Sequence, residues 1–230
     1  LRIEAREESK RVWSHKARST LFLPAMRHYA AWVQQQGHSV DYVRIDRPEA
    51  ASFGSALEAA IARNRPRRVR MVEAGEYGTQ DEIDRACEAA GVAVEHNSDT
   101  QFLCSREEFA AWRDSRKTLV MEQFYRYMRK RHDVLMQDGK PTGGKWNFDQ
   151  KNRTSFGRAG PGMIPAAPQF EPDALTIEAI DDVERHFPNN PGRLDRFTWP
   201  VTRAQALVML DDFVENRLAA FGPFQDAMWQ

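Results

Sequence analysis

The stretch RVRMVEAGEYGTQDEIDRACEAAGVAVEH, residues 68–96, decides the fold class. Its first seven residues have the composition of a strand, and so does VAVEH at 92–96. Thr79 and Glu82 between them have the spacing of a capping box, and Gly91 is a typical helix terminator. A strand, a helix and a second strand in this order predict a βαβ unit with parallel strands.

The same alternation extends over the first half of the chain. LRIEA at 1–5 and VDYVRI at 40–45 are strand-like, whereas residues 19–37 have apolar side chains at helical spacing. This pattern predicts an α/β domain with a parallel sheet, whose ligands bind at the carboxyl ends of the strands. We therefore expect a ligand site among residues Glu4 to Arg11 and Glu73 to Tyr77. The chain has no GxGxxG or Walker A motif, so dinucleotide and P-loop chemistry are not indicated.

Two further capping boxes predict where helices begin. Ser105 with Glu108, and Thr202 with Gln205, have the required spacing of three residues. In such a box, each side chain accepts a hydrogen bond from the backbone N–H of the other residue. Each pair therefore predicts a helix that begins directly after its Ser or Thr.

After residue 116 the chain becomes helical, with one long irregular segment. A helix predicted over 118–132 precedes a Gly- and Pro-rich stretch at 137–172, and helices resume near 175–187 and 202–221. Irregular connections of this length are uncommon and are mostly functional or disordered. The predicted division is an α/β domain (1–115), an interdomain helix and linker (116–172), and the start of an all-helical domain (173–230).

Charge is unevenly distributed although the totals balance. The 230 residues hold 33 basic and 33 acidic side chains, so net charge indicates no partner. Arg116 to Arg153 contains ten Lys/Arg and four Asp/Glu, whereas Glu171 to Asp195 contains two and seven. Aromatic residues are interleaved with the basic stretch: Phe124, Tyr125, Tyr127, Trp146 and Phe148. This pattern suits phosphate contact with base stacking, but a solvated helix face with its aromatics in the core explains it equally.

Few residues have the spacing of a catalytic or metal site. The six histidines are not paired at metal-ligand spacing, and Cys87 and Cys104 are expected to be buried, reduced thiols. Glu73 and Glu76 stand at a strand end, either as an acid/base pair or as anchors of a loop. No apolar run approaches the ~18 residues of a membrane span, so we predict no membrane contact and a cytoplasmic protein.

Five segments, taken in order, resemble the photolyase/cryptochrome superfamily. The specific resemblance is to the deoxyribodipyrimidine photolyase-related branch, which includes iron–sulfur bacterial cryptochromes and (6-4) photolyases. The segments are PAMRHYAAWV (24–33), VEAGEYGTQDEID (72–84), RKTLVMEQFYRYMRK (116–130), GGKWNFDQKNR (143–153) and FGPFQDAMW (221–229).

This resemblance implies a Rossmann-like antenna domain, followed by the start of an all-helical FAD-binding domain. It also implies three cofactors, namely FAD, a 4Fe–4S cluster and a lumazine-type antenna chromophore, and UV-damaged DNA as the partner. The implied activity is light-dependent repair of pyrimidine photoproducts, most of all the (6-4) type, by an electron from reduced FAD. A cryptochrome-like photoreceptor without repair is the alternative, and a non-enzymatic nucleic-acid-binding module is an alternative of another class.

The resemblance also carries over a few site residues. Glu8 matches the acidic residue that holds the antenna ring, although Arg11 replaces an aromatic residue, and Ser14 replaces a histidine before Lys16. Phe221, Gln225 and Asp226 are expected near FAD, with plain helix-end packing as the alternative. Lys145 and Arg153 are expected on DNA phosphates, whereas Trp146 and Phe148 are expected to anchor the segment between the domains.

We further expect a monomeric fragment. The chain opens at Leu1 without an initiator Met, and the resemblance places the first strand of the sheet before it and the FAD and cluster ligands after Gln230. We therefore expect no catalytic activity and weak solubility for these residues alone, because a missing central strand leaves open sheet edges.

Overall fold

The computed structural model describes residues 1–224 except 12, 159 and 161–164. In chain order its elements are β1 (Arg2–Ile3), α1 (Arg6–Arg11), α2 (Lys16–Gln35), β2 (Tyr42–Val43), α3 (Phe53–Asn64), β3 (Arg68–Val72), α4 (Tyr77–Ala89), β4 (Ala93–Asn97), α5 (Arg106–Asp114), α6 (Met121–His132), β5 (Met136–Gln137), β6 (Lys140–Pro141), α7 (Ala174–His186), α8 (Arg203–Asp212) and α9 (Leu218–Phe224). Short 3-10 turns lie at Pro48–Ala51, Thr142–Gly144 and Asp149–Lys151, and a π turn joins α8 to α9.

The chain divides into two compact units. The first contains Leu1–Asn97 and Ala166–Glu215, and the second contains Ser98–Pro165 and the residues from Asn216 onward. The segment at 166–215 thus groups with the N-terminal α/β part, whereas the predicted boundary placed 173–230 together. The assignment of an antenna domain and a flavin domain stays a prediction.

Parallel strand pairing confirms the α/β class. β1 pairs with β2 over two residues, and β3 pairs with β4 over five, from Arg68 opposite Ala93 to Val72 opposite Asn97. A helix lies between β3 and β4, as residues 68–96 predict. Over the described residues the two parallel pairs remain separate two-stranded sheets, so the strands do not join into the single sheet of a Rossmann-like domain.

The core of the first unit lies largely between α2 and α7. Leu23 of α2, Ile45 after β2 and Val183 of α7 share one buried cluster, which Phe187 and Phe197 complete. A second cluster packs α3 on α4 and on the faces of β3 and β4; its buried members are Leu57, Ile61, Ala86 and Cys87. Each helix therefore buries one apolar stripe, which is the main stabilising contribution to such a layer.

Two of the three predicted capping boxes are confirmed. Ser105 and Thr202 each cap a helix together with the residue three positions later. The box predicted at Thr79 is wrong, because α4 begins earlier, at Tyr77, and Thr79 lies inside the helix. Its supposed partner Glu82 instead accepts a hydrogen bond from the backbone N–H of Gly54, at 2.7 Å.

The second unit is built on an aromatic cluster between α5 and α6. Trp112 is 5% exposed, and its ring centroid lies 5.0 Å from that of Phe124 and 6.3 Å from that of Tyr127. Core packing therefore accounts for these aromatic residues of the basic stretch. The predicted irregular segment begins with the antiparallel β5–β6 hairpin and two 3-10 turns. No helix among the described residues combines the length and the apolarity that crossing a bilayer requires.

Candidate functional site

A groove in the first unit lies beside Glu8, where the sequence predicts a ligand site. Its volume is about 690 Å³, and residues from α1, the start of α3 and α4 form its walls. Glu8 and Arg11 of α1 line it together, as do Phe53 and Thr79. We call this cavity the Glu8 groove.

Arg6 fixes α1 against the loop that follows β2. Its guanidinium donates to the carbonyl oxygens of Ile45 at 2.5 Å, Arg47 at 2.7 Å and Pro48 at 3.1 Å. On the next turn, the hydroxyls of Ser9 and Ser19 lie 3.0 Å apart and join α1 to α2. These contacts hold the helix that carries Glu8 in one position.

An ion pair connects the two walls of the Glu8 groove. Arg11 of α1 pairs with Glu76, the residue that precedes α4. This contact supports the loop-anchor interpretation of Glu76 rather than the acid/base one. It also gives Arg11, which replaces an aromatic residue of the family pattern, a specific partner across the groove.

Glu82 ties α4 to the start of α3 within the same groove. Its carboxylate accepts the N–H of Gly54, and a Cβ on Gly54 would lie 3.0 Å from both Cγ and Oε1 of Glu82. The contact satisfies one of the unpaired N–H groups of the first helical turn. Sequence reasoning missed it because the two residues lie 28 positions apart.

The chemistry of the Glu8 groove fits a planar heterocycle with N–H groups along one edge. Glu8 is partly buried, and a carboxylate accepts such hydrogen bonds with either oxygen. The volume lies within the range of small-molecule sites, and the backbone around the groove is helical and preformed. The groove therefore has the size of a small-molecule site and a carboxylate acceptor in its wall.

A buried ion network lies next to this site at the end of β1. Arg27 of α2 donates to Glu4 at 2.8 and 3.0 Å and to Asp182 of α7 at 2.6 Å. Glu4 also accepts from the Tyr42 hydroxyl at 2.7 Å and from the Ile45 N–H at 2.8 Å. With Glu4, Arg27 and Asp182 only 2%, 5% and 6% exposed, the network is a structural junction of four elements and not a ligand site.

The pKa shifts in this network follow from its burial and its charges. Burial, together with the adjacent charge of Glu4, raises the pKa of Tyr42 far above its ordinary range. Burial by itself lowers the pKa of Arg27, but the hydrogen bonds and charges of Glu4 and Asp182 outweigh it and raise that pKa. Tyr42 thus stays a hydrogen-bond donor and Arg27 stays a cation.

The two residues that follow Ser14 have structural partners. Lys16 pairs with Glu184 of α7, and His15 caps α2 by accepting the N–H of Ala17 at 3.1 Å. Ser14 is partly buried. Among the described residues, none of these three lines the Glu8 groove.

The residues predicted near FAD are described only in part. Phe221 lies on α9 and is 47% exposed. Gln225 and Asp226 lie outside the described residues, so their predicted role is not tested.

The residues predicted on DNA lie in the second unit, on the surface. Lys145 and Arg153 are both exposed. Trp146 between them packs on α6, where Arg126, Arg129 and Lys130 place their cationic groups 5.4 to 5.5 Å from its ring centroid. These contacts show that Trp146 anchors its segment to α6.

Phe148 explains one glycine of the GGKWNF motif. A Cβ on Gly143, whose φ is +77°, would lie 2.9 Å from Cζ of Phe148. Gly144 has a similar φ of +75° but nothing within 4 Å of its Cβ position. The first glycine therefore admits the ring, whereas the second only supplies a left-handed backbone.

No metal site is present in the described part of the chain. Within those ranges, no group of three or more His, Cys, Asp or Glu side chains is arranged to hold a metal ion. Burial raises the pKa of the Cys87 thiol, and nearby Asp84 raises it further. Since the whole sequence has 2 Cys, it cannot supply the four thiolates of a 4Fe–4S cluster.

Comparison with known proteins identifies the family of the chain. The family model of deoxyribodipyrimidine photo-lyase-related protein matches residues 1–199. The chain therefore belongs to that family.

Two relatives place it further. The chain is 41% identical over 229 residues to a (6-4) photolyase of Agrobacterium fabrum, a match that covers 99% of the chain and 45% of that relative. An uncharacterized protein of Acanthamoeba polyphaga mimivirus is 21% identical over 136 residues, which are 57% of the chain and 67% of the relative. The chain thus spans about half the length of the photolyase that it matches.

Proposed function

We propose that this chain is part of a light-dependent flavoprotein that repairs (6-4) pyrimidine photoproducts in DNA. The observation that carries the proposal is the 41% identity to a (6-4) photolyase over 99% of the chain. The parallel α/β architecture and the Glu8 groove add physical support, because the groove is a cavity lined by residues that follow β1.

In this proposal the N-terminal α/β part of the first unit is an antenna domain that binds a lumazine-type chromophore. Glu8 holds the N–H edge of the ring, and the Arg11–Glu76 pair limits how far the ring extends between α1 and α4. Replacing Glu8 by Gln preserves its shape but replaces one acceptor oxygen by an N–H₂ donor. Glu7, an exposed carboxylate that lines the same groove, is the matched control.

Absorption spectroscopy of the purified protein with added lumazine tests this assignment. The Glu8→Gln variant should lose the red-shifted absorption of the bound ring, whereas Glu7→Gln should keep it. Equal binding by both variants would remove Glu8 from the site.

The proposal also includes FAD and the 4Fe–4S cluster. FAD when bound supplies the electron for repair, and Phe221, Gln225 and Asp226 are proposed to lie beside its site. The cluster requires cysteines beyond the 2 in this sequence.

Damaged DNA is the proposed partner, with Lys145 and Arg153 on its phosphates. Both side chains are exposed, and the stretch that contains them, residues 116–153, has ten basic and four acidic residues. Because each phosphate contact releases counterions, Lys145→Gln should lower the salt slope of duplex binding by about 1. An unchanged slope would assign Lys145 to the solvated surface.

Illumination of an oligonucleotide that carries a (6-4) photoproduct tests the activity itself. The whole protein of which this chain is part, with bound flavin, should restore the two pyrimidines under blue light and leave them damaged in the dark. Flavin absorbance without repair would support the photoreceptor alternative. DNA binding without flavin absorbance would support a plain nucleic-acid-binding module.

A further inference from the structure

A second groove, in the second unit, has a use that neither the antenna nor the flavin explains. Its volume is about 850 Å³, and α6, the β5–β6 hairpin and the GGKWNF segment form it. Tyr125, Leu135, Trp146, Asn147 and Phe148 are among its lining residues. We call it the α6 groove.

The aromatic rings of the α6 groove are not equivalent. Trp146 is engaged by three cations of α6, and its backbone carbonyl accepts from Arg129 at 3.1 Å, so it is part of the scaffold. Phe148 is 39% exposed, and Nζ of Lys151 lies 5.6 Å from its ring centroid. Of these two rings, Phe148 is the one whose surface a ligand can cover.

The position of Phe148 is built into the backbone. Gly143 leaves the space that Cζ of Phe148 occupies, since any Cβ there would lie 2.9 Å from it. Arg129, which is 7% exposed, holds the surrounding chain by donating to the carbonyl of Val134 at 3.1 Å and to that of Leu135. A ring held in this way is preorganised, which reduces the entropy lost on binding.

Leu135 adds a second unusual feature at the edge of the groove. Its φ is +52°, in the left-handed region that leucine rarely adopts, and its side chain is 64% exposed. The hydrogen bonds that its carbonyl accepts from Arg129 and from the Thr142 N–H, the latter at 2.9 Å, hold it there. Backbone strain that the surroundings enforce clusters at ligand sites.

Polar groups in the α6 groove match the edge of a nucleobase. Asn147 donates one amide N–H to Glu122 at 3.2 Å, and its amide also carries a second N–H and a carbonyl oxygen. Four cations lie close to the lining along the chain: Arg126 and Lys130 on α6, and Lys145 and Lys151 on either side of the aromatic segment. The lining itself holds the buried Arg129 and two carboxylates, Glu122 and Asp149. A flat ring, an amide and flanking cations are the three components that bind an unpaired nucleotide.

We propose that the α6 groove binds an unpaired nucleotide of a DNA strand, with its base against Phe148 and its phosphates on the surrounding lysines. The proposal rests on the proposed function, because it takes DNA to be the partner. It adds a contact to an undamaged, unstacked base, made by the second unit alone.

Fluorescence anisotropy of a labelled 12-base single strand with the purified protein tests this site. Removing one aromatic ring on which a base stacks lowers the affinity about 5- to 150-fold, so Phe148→Ala should weaken binding by that factor. Phe102→Ala is the matched control, because Phe102 belongs to the same unit and is 67% exposed but does not line the groove. The Phe102 variant should bind like the unchanged protein.

Salt dependence separates stacking from phosphate contact. Phe148→Ala should leave the salt slope unchanged, whereas Lys145→Gln should lower it by about 0.7 on a single strand. If Lys145→Gln lowers the salt slope but Phe148→Ala binds the single strand with unchanged affinity, DNA remains the partner and the base site is overturned. If the Phe148 variant loses affinity for the strand and the unchanged whole protein does not repair a lesion, the base site stands and the repair function is overturned.

Two further arms complete the test. Gly143→Ala keeps the Phe148 side chain in the protein but puts a methyl group where its ring lies. This variant should weaken single-strand binding as Phe148→Ala does, provided that circular dichroism shows a folded protein. Equal affinity for the single strand and for the same sequence in a duplex would overturn the proposal. Binding of free dAMP with the same Phe148 dependence, but no binding of the strand, would also overturn its assignment to DNA.

Discussion

Replacing Arg27 by Met should destabilise the first unit far more than the loss of one surface charge does. Arg27 donates three hydrogen bonds to two buried carboxylates, Glu4 and Asp182. Methionine fills a similar length of space but donates none of these bonds. Glu4 keeps the Tyr42 hydroxyl and the Ile45 N–H, and Asp182 keeps Arg44 at 3.3 Å, so the charge that loses most of its compensation is that of Glu4.

The magnitude follows from the burial of the three side chains. Removing one partner of a buried ion pair costs about 3–5 kcal/mol, because the remaining charge is left without compensation. With a urea slope of about 2 kcal/mol per M, the unfolding midpoint should fall by about 2 M. Arg27→Lys keeps the charge but not the paired geometry, so its unfolding midpoint should lie between those of the unchanged protein and Arg27→Met.

Urea unfolding followed by far-UV circular dichroism measures this difference. Arg68→Met is the matched control, because Arg68 lies 3.3 Å from Glu95 in an ion pair whose Arg is 60% exposed. Such surface pairs contribute about 0–1 kcal/mol. A midpoint for Arg27→Met equal to that of Arg68→Met would refute the reasoning that the buried network stabilises the unit.

Two further predictions concern local structure. Gly143→Ala should lower the melting temperature more than Gly144→Ala, because both lose about 1–2 kcal/mol to the left-handed backbone but only the first displaces Phe148; equal losses would contradict the contact. Asp173→Ala, which removes the N-cap of α7, should cost about 1 kcal/mol at neutral pH in urea unfolding. Burial raises the pKa of Asp173, but its hydrogen bonds from Thr176 outweigh this and lower it below 3.8. The stabilisation by Asp173 is therefore present above about pH 4 and is lost as the pH falls through the lowered pKa of Asp173 in the folded protein. The unchanged protein and Asp173→Ala should then become equally stable in acid.

Sequence rules predicted the features of the fold that depend on near neighbours. The boxes at Ser105 and Thr202 are correct because both members of each lie on one helical turn. The box at Thr79 is wrong because α4 begins at Tyr77, which places Thr79 inside the helix. Glu82 instead accepts from the N–H of Gly54, 28 residues away, a contact that spacing along the chain does not predict.

The candidate site was predictable in position but not in its contacts. The parallel-sheet rule placed a ligand site after β1 and β3; Glu8 and Arg11 after β1 do line a groove, whereas residues Glu73 to Tyr77 after β3 do not line it. The partner of Arg11 is Glu76, 65 residues further along the chain. Spacing carries no signal for such a pair.

Local sequence patterns do not predict the Arg27 network, although Arg27 lies within the segment PAMRHYAAWV (24–33). Its partners Glu4 and Asp182 are 23 and 155 residues away, and a charged side chain on a helix ordinarily faces solvent. The available hint was the arginine itself, on a helix whose core-facing residue Leu23 lies four positions earlier.

The bond between Arg27 and Asp182 has a consequence for how the protein is made. A ribosome that adds roughly 5–20 residues per second needs about 4 to 17 s to pass from Asn97 to Asp182. During that interval α2 has emerged, but the helix that covers its apolar face and neutralises its arginine has not. The nascent α/β part therefore waits with an uncovered surface while the intervening second unit is synthesised, which makes it a natural client for chaperones that bind exposed apolar chains.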